Sequence, residues 1–115
     1  MIEMVPKTVL VNRAHETIHL QAGTVLFNQG ALADLIYIVS EGEAEIVRQL
    51  AGGGQEVLRV AGAGDYFGEI GPVFGLPRSA TVRARTDATV IGHSVLAFRQ
   101  RLGAAAVEGR EPAID

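Results

Sequence analysis

At 115 residues and 48% apolar side chains, the chain can bury one core and leaves no room beside it for a separate catalytic or DNA-reading domain. Thirteen acidic against ten basic groups, a net charge of −3 and a pI near 5.6, with the basic groups thinnest before residue 76 (four against nine acidic in 1–75, six against four in 76–115), exclude the basic face by which a domain grips nucleic acid. No cysteine is present, so disulfides and thiolate metal sites are excluded and a cytoplasmic setting fits, while the longest strongly apolar run, 35–39, is far too short to insert in a membrane.

Residues 1–14 read as an N-terminal segment ahead of a domain expected over 15–102. Short β-type runs follow at 17–20, 25–27, 35–39, 44–47, 57–60, 80–84 and 88–91, each bounded by glycine, Asp, Asn or a charged turn. Such a series predicts an antiparallel barrel or sandwich. His15 and His19 stand four apart, the spacing that aligns two ligands on a helix, but 17–20 reads as a strand, where the pair does not converge. These two and His93 are read as structural or surface groups. Glu41, Glu43 and Glu45 read as a solvated strand face. Asp65, after Gly64, reads as a turn residue whose carboxylate bonds nearby backbone, and Tyr66 and Phe67 as core anchors. In 80–85, Ala80, Val82 and Ala84 alternate with Thr81, Arg83 and Arg85, the period of a half-buried strand, with the two arginines facing solvent. A helix is expected over about 95–102, ended by Gly103, with 103–115 a disordered tail.

The stretch 67–82 concentrates the functional chemistry. Gly68 before a short helix lets backbone N–H groups approach an anion. Arg78, from the far side of the loop, offers a guanidinium fork that matches phosphate oxygens. Glu69 repels phosphate, so its place beside an anion is to accept hydrogen bonds from neighbouring hydroxyls. Taken singly, Glu69 is an ordinary loop carboxylate and Arg78 an ordinary surface cation. Together they describe phosphate plus a sugar hydroxyl, hence a nucleotide.

Phe67-Gly68-Glu69 followed by Arg78-Ser79-Ala80-Thr81-Val82 resembles the phosphate-binding cassette of the cyclic nucleotide-binding domain family, found in kinase A regulatory subunits, bacterial catabolite activators and gated channels. The resemblance takes in Gly23 to Phe27, Leu35 to Val39, Glu41 to Ala44 and Gly64 to Tyr66, and covers roughly 17–102. It implies a mainly β fold, an antiparallel double-stranded β-helix (jelly-roll-like) barrel, with a short cassette helix and short flanking helices. Gly71-Pro72 departs from the family's Ala-Leu; proline disfavours the α conformation before it and removes a donor, so a later or shorter cassette helix is expected.

By the same resemblance, Arg78 and the Ala80 backbone hold a cyclic phosphate, Glu69 and the Gly68 backbone hold the ribose hydroxyl, and Ile70 donates from the cassette helix. Ile46, Leu58 and Val82 are apolar walls for the base. Ser79 leaves both cAMP and cGMP open as ligand, with cAMP favoured. The implied role is a sensor switch, not an enzyme, with no cofactor and no metal. Its partners are a linked or separate effector domain, or a second copy in a homodimer. The base is covered by a neighbouring chain, by a segment outside this one, or by nothing. The rival readings are a fold-retaining interaction module that binds no nucleotide, kept open by Gly71-Pro72, and a metal-dependent cupin-type enzyme, which three scattered histidines disfavour.

Overall fold

The computed structural model describes residues 15–107, with side chains through 101. Eight strands and two helices follow one another: β1 His15–Leu20, β2 Val25–Phe27, β3 Ile36–Glu41, β4 Ala44–Gln49, β5 Gln55–Ala61, β6 Tyr66–Phe67, α1 Ile70–Phe74, β7 Thr81–Ala84, β8 Ala88–His93 and α2 Val95–Val107. They form two four-stranded antiparallel sheets, ordered β1-β8-β3-β6 and β2-β7-β4-β5. Each sheet keeps two edge strands, so the expected barrel is corrected to an open β-roll. All seven runs read from the sequence are strands, several of them longer than expected. The two-residue β6 was read only as core, and Tyr66 and Phe67 are indeed buried.

The space between the sheets is filled by Val39, Phe67, Val82, Ala84 and Val90. β8 shows the half-buried period, with Ala88, Val90 and Gly92 inward. β3 does not alternate, and the reason lies on its other face. Tyr37 and Val39 meet the inter-sheet core, whereas Ile36 and Ile38 join Tyr66 and Phe98 in a second cluster that receives α2. The Tyr66 and Phe98 rings meet edge-on at 4.8 Å, a geometry that adds about 0.5–1.5 kcal/mol to the burial itself. Ser94 caps α2, its hydroxyl accepting from the Ala97 N–H at 3.1 Å. The helix then runs through Gly103 to Val107; a glycine inside a helix costs only about 1 kcal/mol, so the break expected at Gly103 is absent. Residues 1–14 and 108–115 lie outside the described residues.

Arg83 and Arg85 are not simply solvated. Arg83 sits directly across from Glu45 in the β4–β7 pairing; its Nε donates to Glu45 Oε2 at 2.8 Å and a second guanidinium nitrogen donates to Gln55 Oε1 at 3.1 Å. Arg85 lies 3.8 Å from Glu43. The outer face of this sheet is thus laced by cross-strand pairs that the sequence period alone assigns to water. Asp65 behaves as read, accepting from the Gly62 N–H at 2.9 Å.

His15 and His93 face each other across β1 and β8, ring centroids 6.0 Å apart, and His19 Nδ1 lies 3.1 Å from Thr89 Oγ1. Burial, then the charges of Arg101 and His15, hold the His93 pKa below its ordinary 6.5. The unfolded chain therefore takes up this proton first as pH falls. Stability from this group is intact above about 6.5, is lost between 6.5 and the lower native value, and is level below that. Urea midpoints taken above and below this window are expected to fall more for the native chain than for His93→Gln; parallel losses would remove His93 as the cause.

Candidate functional site

β6 is held against β3, Phe67 opposite Tyr37, and delivers the chain to Gly68 at φ +78°. A Cβ here would sit 2.8 Å from an Arg78 guanidinium nitrogen and 3.5 Å from the Phe27 ring, so both the conformation and the space call for glycine. Glu69 is the N-cap of α1 but makes no side-chain capping bond. α1 begins at Ile70, not later, and is five residues long. Pro72 is its third residue, where the missing N–H has no intrahelical acceptor anyway. Gly71 adopts the helical conformation before proline because it lacks the Cβ that would clash. It also fits where nothing larger does: a Cβ would strike the Ala33 side chain and lie 2.8 Å from the Leu76 carbonyl. Despite the proline, the helix thus starts directly after Glu69, and it is short.

Arg78 is only 5% exposed. Its two terminal nitrogens donate to the carbonyls of Gly68 and Leu35, each at 2.8 Å, and the guanidinium lies 4.0 Å above the Phe27 ring centroid. Its nearest carboxylate among the described residues, Asp34, is 4.0 Å away and exposed. Its Nε is buried with no hydrogen-bond partner among the described residues. Burial pushes the Arg78 pKa below its ordinary 12.5, with Tyr37 and Asp34 opposing the shift; a guanidinium remains charged regardless. Main-chain bonds fix the position: the Arg78 N–H donates to Ala31 O at 2.9 Å and the Gly30 N–H to Arg78 O at 2.8 Å. The sequence reading had the arginine reach across the loop; here it is seated beneath the cassette, clamped to the segment 28–35.

These elements enclose a cavity of about 310 Å³, near the lower end of the roughly 300–1,000 Å³ usual for small-molecule sites. All nine residues singled out from the sequence line it. Gly68, Glu69 and Ile70 come from the β6–α1 passage, Arg78, Ser79 and Ala80 from the α1–β7 passage, and Val82, Ile46 and Leu58 from β7, β4 and β5. Four more were missed: Phe27, Arg59, Phe67 and Gly71. Strict alternation would put Leu58 and Arg59 on opposite faces. The β4–β5 register slips there, Ile46 pairing with Arg59 and Val47 with Val57, so Leu58 is an extra, bulged residue and both neighbours reach the cavity. Arg59 donates to the Tyr66 carbonyl at 2.7 Å. Phe27 had a signal in the 25–27 run, but its position under Arg78 depends on the sheet pairing. None of His15, His19 and His93 lines the cavity, and no group of three or more metal-ligating side chains occurs among the described residues. No helix among the described residues is long and apolar enough to cross a membrane.

The sequence pattern described as "Cyclic nucleotide-binding domain" matches residues 17–103. The chain belongs to this family. The cyclic nucleotide-binding domain is 63% identical over 103 residues, 90% of the chain, to an uncharacterized ABC transporter ATP-binding protein of Mycobacterium tuberculosis, of which it spans 31%. It is 34% identical over 90 residues to the cAMP-dependent protein kinase regulatory subunit of Schizosaccharomyces pombe, covering 78% of the chain and 21% of that protein. The chain therefore spans a third or less of the length of these relatives. Among solved structures it is similar to the regulatory domain of Toxoplasma gondii PKA co-crystallised with cAMP (TM-score 0.69, 30% identity, 83% of this chain and 40% of that one). It shares its fold with the Thermus thermophilus catabolite activator protein (TM-score 0.71, 22% identity, 95% and 50%).

Proposed function

We propose that the domain takes a cyclic nucleotide, cAMP in preference to cGMP, into the cavity beside Arg78. It then reports occupancy to a linked ATP-binding domain of the kind carried by the mycobacterial relatives. The observation that carries this reading is a buried arginine lining the same small, mostly apolar cavity as Glu69, Ser79 and Ala80. A buried cation without a close buried counter-charge favours an anion beside it. With two nitrogens held by carbonyls, Arg78 keeps Nε for a phosphate oxygen, and the Ala80 N–H and Ser79 hydroxyl complete the contact. Glu69 accepts from the ribose hydroxyl beside Gly68, and Ile70 donates from the start of α1. Ile46, Leu58 and Val82 cover the base faces. The preference for cAMP is supported by the kinase relatives, one named as cAMP-dependent and one crystallised with cAMP. The work done is a binding equilibrium that favours one arrangement of the cassette over another.

Calorimetric titration of cAMP and cGMP into the 115-residue chain is expected to give one-to-one binding, tighter for cAMP. No heat from either with a folded protein would end the proposal. Glu69→Ala is expected to weaken cAMP about tenfold, the loss of one or two hydrogen bonds to neutral donors at roughly 0.5–1.5 kcal/mol each. Tighter binding by that variant would overturn the ribose role.

A further inference from the structure

Tyrosines aside, two polar or charged residues are buried among the described residues, Arg78 and Thr81, each 5% exposed. The cavity accounts for the first. Ser79, Ala80 and Val82 line it and Thr81 does not, because alternation along β7 turns the threonine to the opposite face of the strand. There it pairs with Val47 of β4, which is itself buried. A hydroxyl held out of water behind a cavity wall calls for a hydrogen-bond partner.

The partner is the main chain of the segment 28–35, where Thr81 Oγ1 accepts from the Gln29 N–H at 2.9 Å. The residues that follow in this segment hold Arg78. The Gly30 N–H donates to Arg78 O at 2.8 Å, and Ala31 O accepts from the Arg78 N–H at 2.9 Å. Further along, Leu35 O accepts from the guanidinium at 2.8 Å. Both buried polar residues therefore grip one segment, and the hydroxyl fixes the residue directly before the two that fix the Arg78 backbone. Gln29 is also tied through its side chain, Oε1 accepting from the Gln49 N–H at 2.8 Å. That bond is exposed to water, whereas the bond to Thr81 is partly buried.

A guanidinium matches phosphate oxygens only when its planar fork is correctly turned. The backbone of Arg78 and one end of its fork are both held by 28–35, so a shift of this segment re-aims the group. We propose that Thr81 is a positioning residue for Arg78: from behind the cavity wall, its hydroxyl sets the segment that aims the guanidinium at the ligand's phosphate. This role rests on the cyclic-nucleotide reading of the cavity, and Thr81 itself does not touch the ligand.

Thr81→Val exchanges the hydroxyl for a methyl, and Thr81→Ser keeps the hydroxyl but deletes a buried methyl. Calorimetric titration of cAMP into the 115-residue chain is expected to show Thr81→Val weakened about fivefold, the loss of one partly buried hydrogen bond. Thr81→Ser is expected to stay within about twofold of the native chain, although its lost methyl lowers the melting temperature. Affinity that simply follows melting temperature across the three proteins would mean a structural role only and overturn the proposal. Arg78→Lys has no fork to aim, so adding Thr81→Val to it is expected to weaken cAMP no further; the same loss in both backgrounds would show the two residues to be independent and overturn it. Native affinity in a folded Thr81→Val protein would remove the positioning role and leave the cavity's ligand standing, whereas no binding by the native chain would end both.

Discussion

Replacing Arg78 by alanine is expected to weaken cyclic-nucleotide binding a hundredfold or more. Charge-assisted hydrogen bonds contribute roughly 1.5–3 kcal/mol each, and about 2.7 kcal/mol is already a hundredfold. The same substitution withdraws the donors from Gly68 O and Leu35 O and the cation from the Phe27 ring, so the domain itself is weakened. Arg78→Lys separates the two losses. Lysine keeps the charge but presents no planar fork, so it is expected to recover part of the affinity and little of the lost stability. Both variants are to be titrated with cAMP well below their melting temperatures, with circular dichroism as the check on folding. Wild-type affinity in a folded Arg78→Ala protein would sink the site assignment.

Gly42→Ala is expected to cost more stability than any other single added methyl. Gly42 turns the chain from β3 into β4 at φ +79°, and a Cβ there would run into the Asp87 carbonyl and come within 2.8 Å of the Ala88 Cα. The obstacle is backbone at the entry of β8, a strand paired on both sides, so it has little room to yield. The left-handed conformation alone costs a non-glycine residue about 1–2 kcal/mol, and overpacking adds typically 1–3 kcal/mol. Gly23→Ala is the control, with φ +89° and nothing within 4 Å of its Cβ. Urea denaturation is expected to show Gly42→Ala roughly 2 kcal/mol worse than Gly23→Ala. Equal costs would mean that the β8 entry shifts freely.

What could be read from the chain was local. Strand runs bounded by turns, the Gly68–Glu69 and Arg78–Val82 clusters and the helix beginning near Val95 are patterns within a few residues. What was missed depends on partners far along the chain. β3 reads as a uniform apolar run because α2 covers one face and the opposite sheet the other. Arg59 enters the cavity through a register slip against β4 that no period announces. Glu45 and Arg83, 38 residues apart, become a pair only once β4 and β7 are neighbours. Gly71-Pro72 looked like a threat to α1; it is the packing of Ala33 against that position that makes the glycine fit. The barrel was one of two readings of the strand runs and the form that the resemblance implied, and only the strand order shows two open sheets.

The segment 28–35 is bolted to the cassette. Gly30 and Ala31 exchange main-chain hydrogen bonds with Arg78, Leu35 O takes a third from its side chain, the Gln29 N–H donates to Thr81 Oγ1, and Gln29 Oε1 accepts from the Gln49 N–H. Every one of these ties spans at least twenty residues of sequence. Under the proposed function, an anion that moves Arg78 pulls on the head of β3 and the start of β7 through these bonds, and on the tail of β4 through Gln29. A spectroscopic probe on the 28–35 segment is therefore expected to report the proposed binding event without touching the ligand.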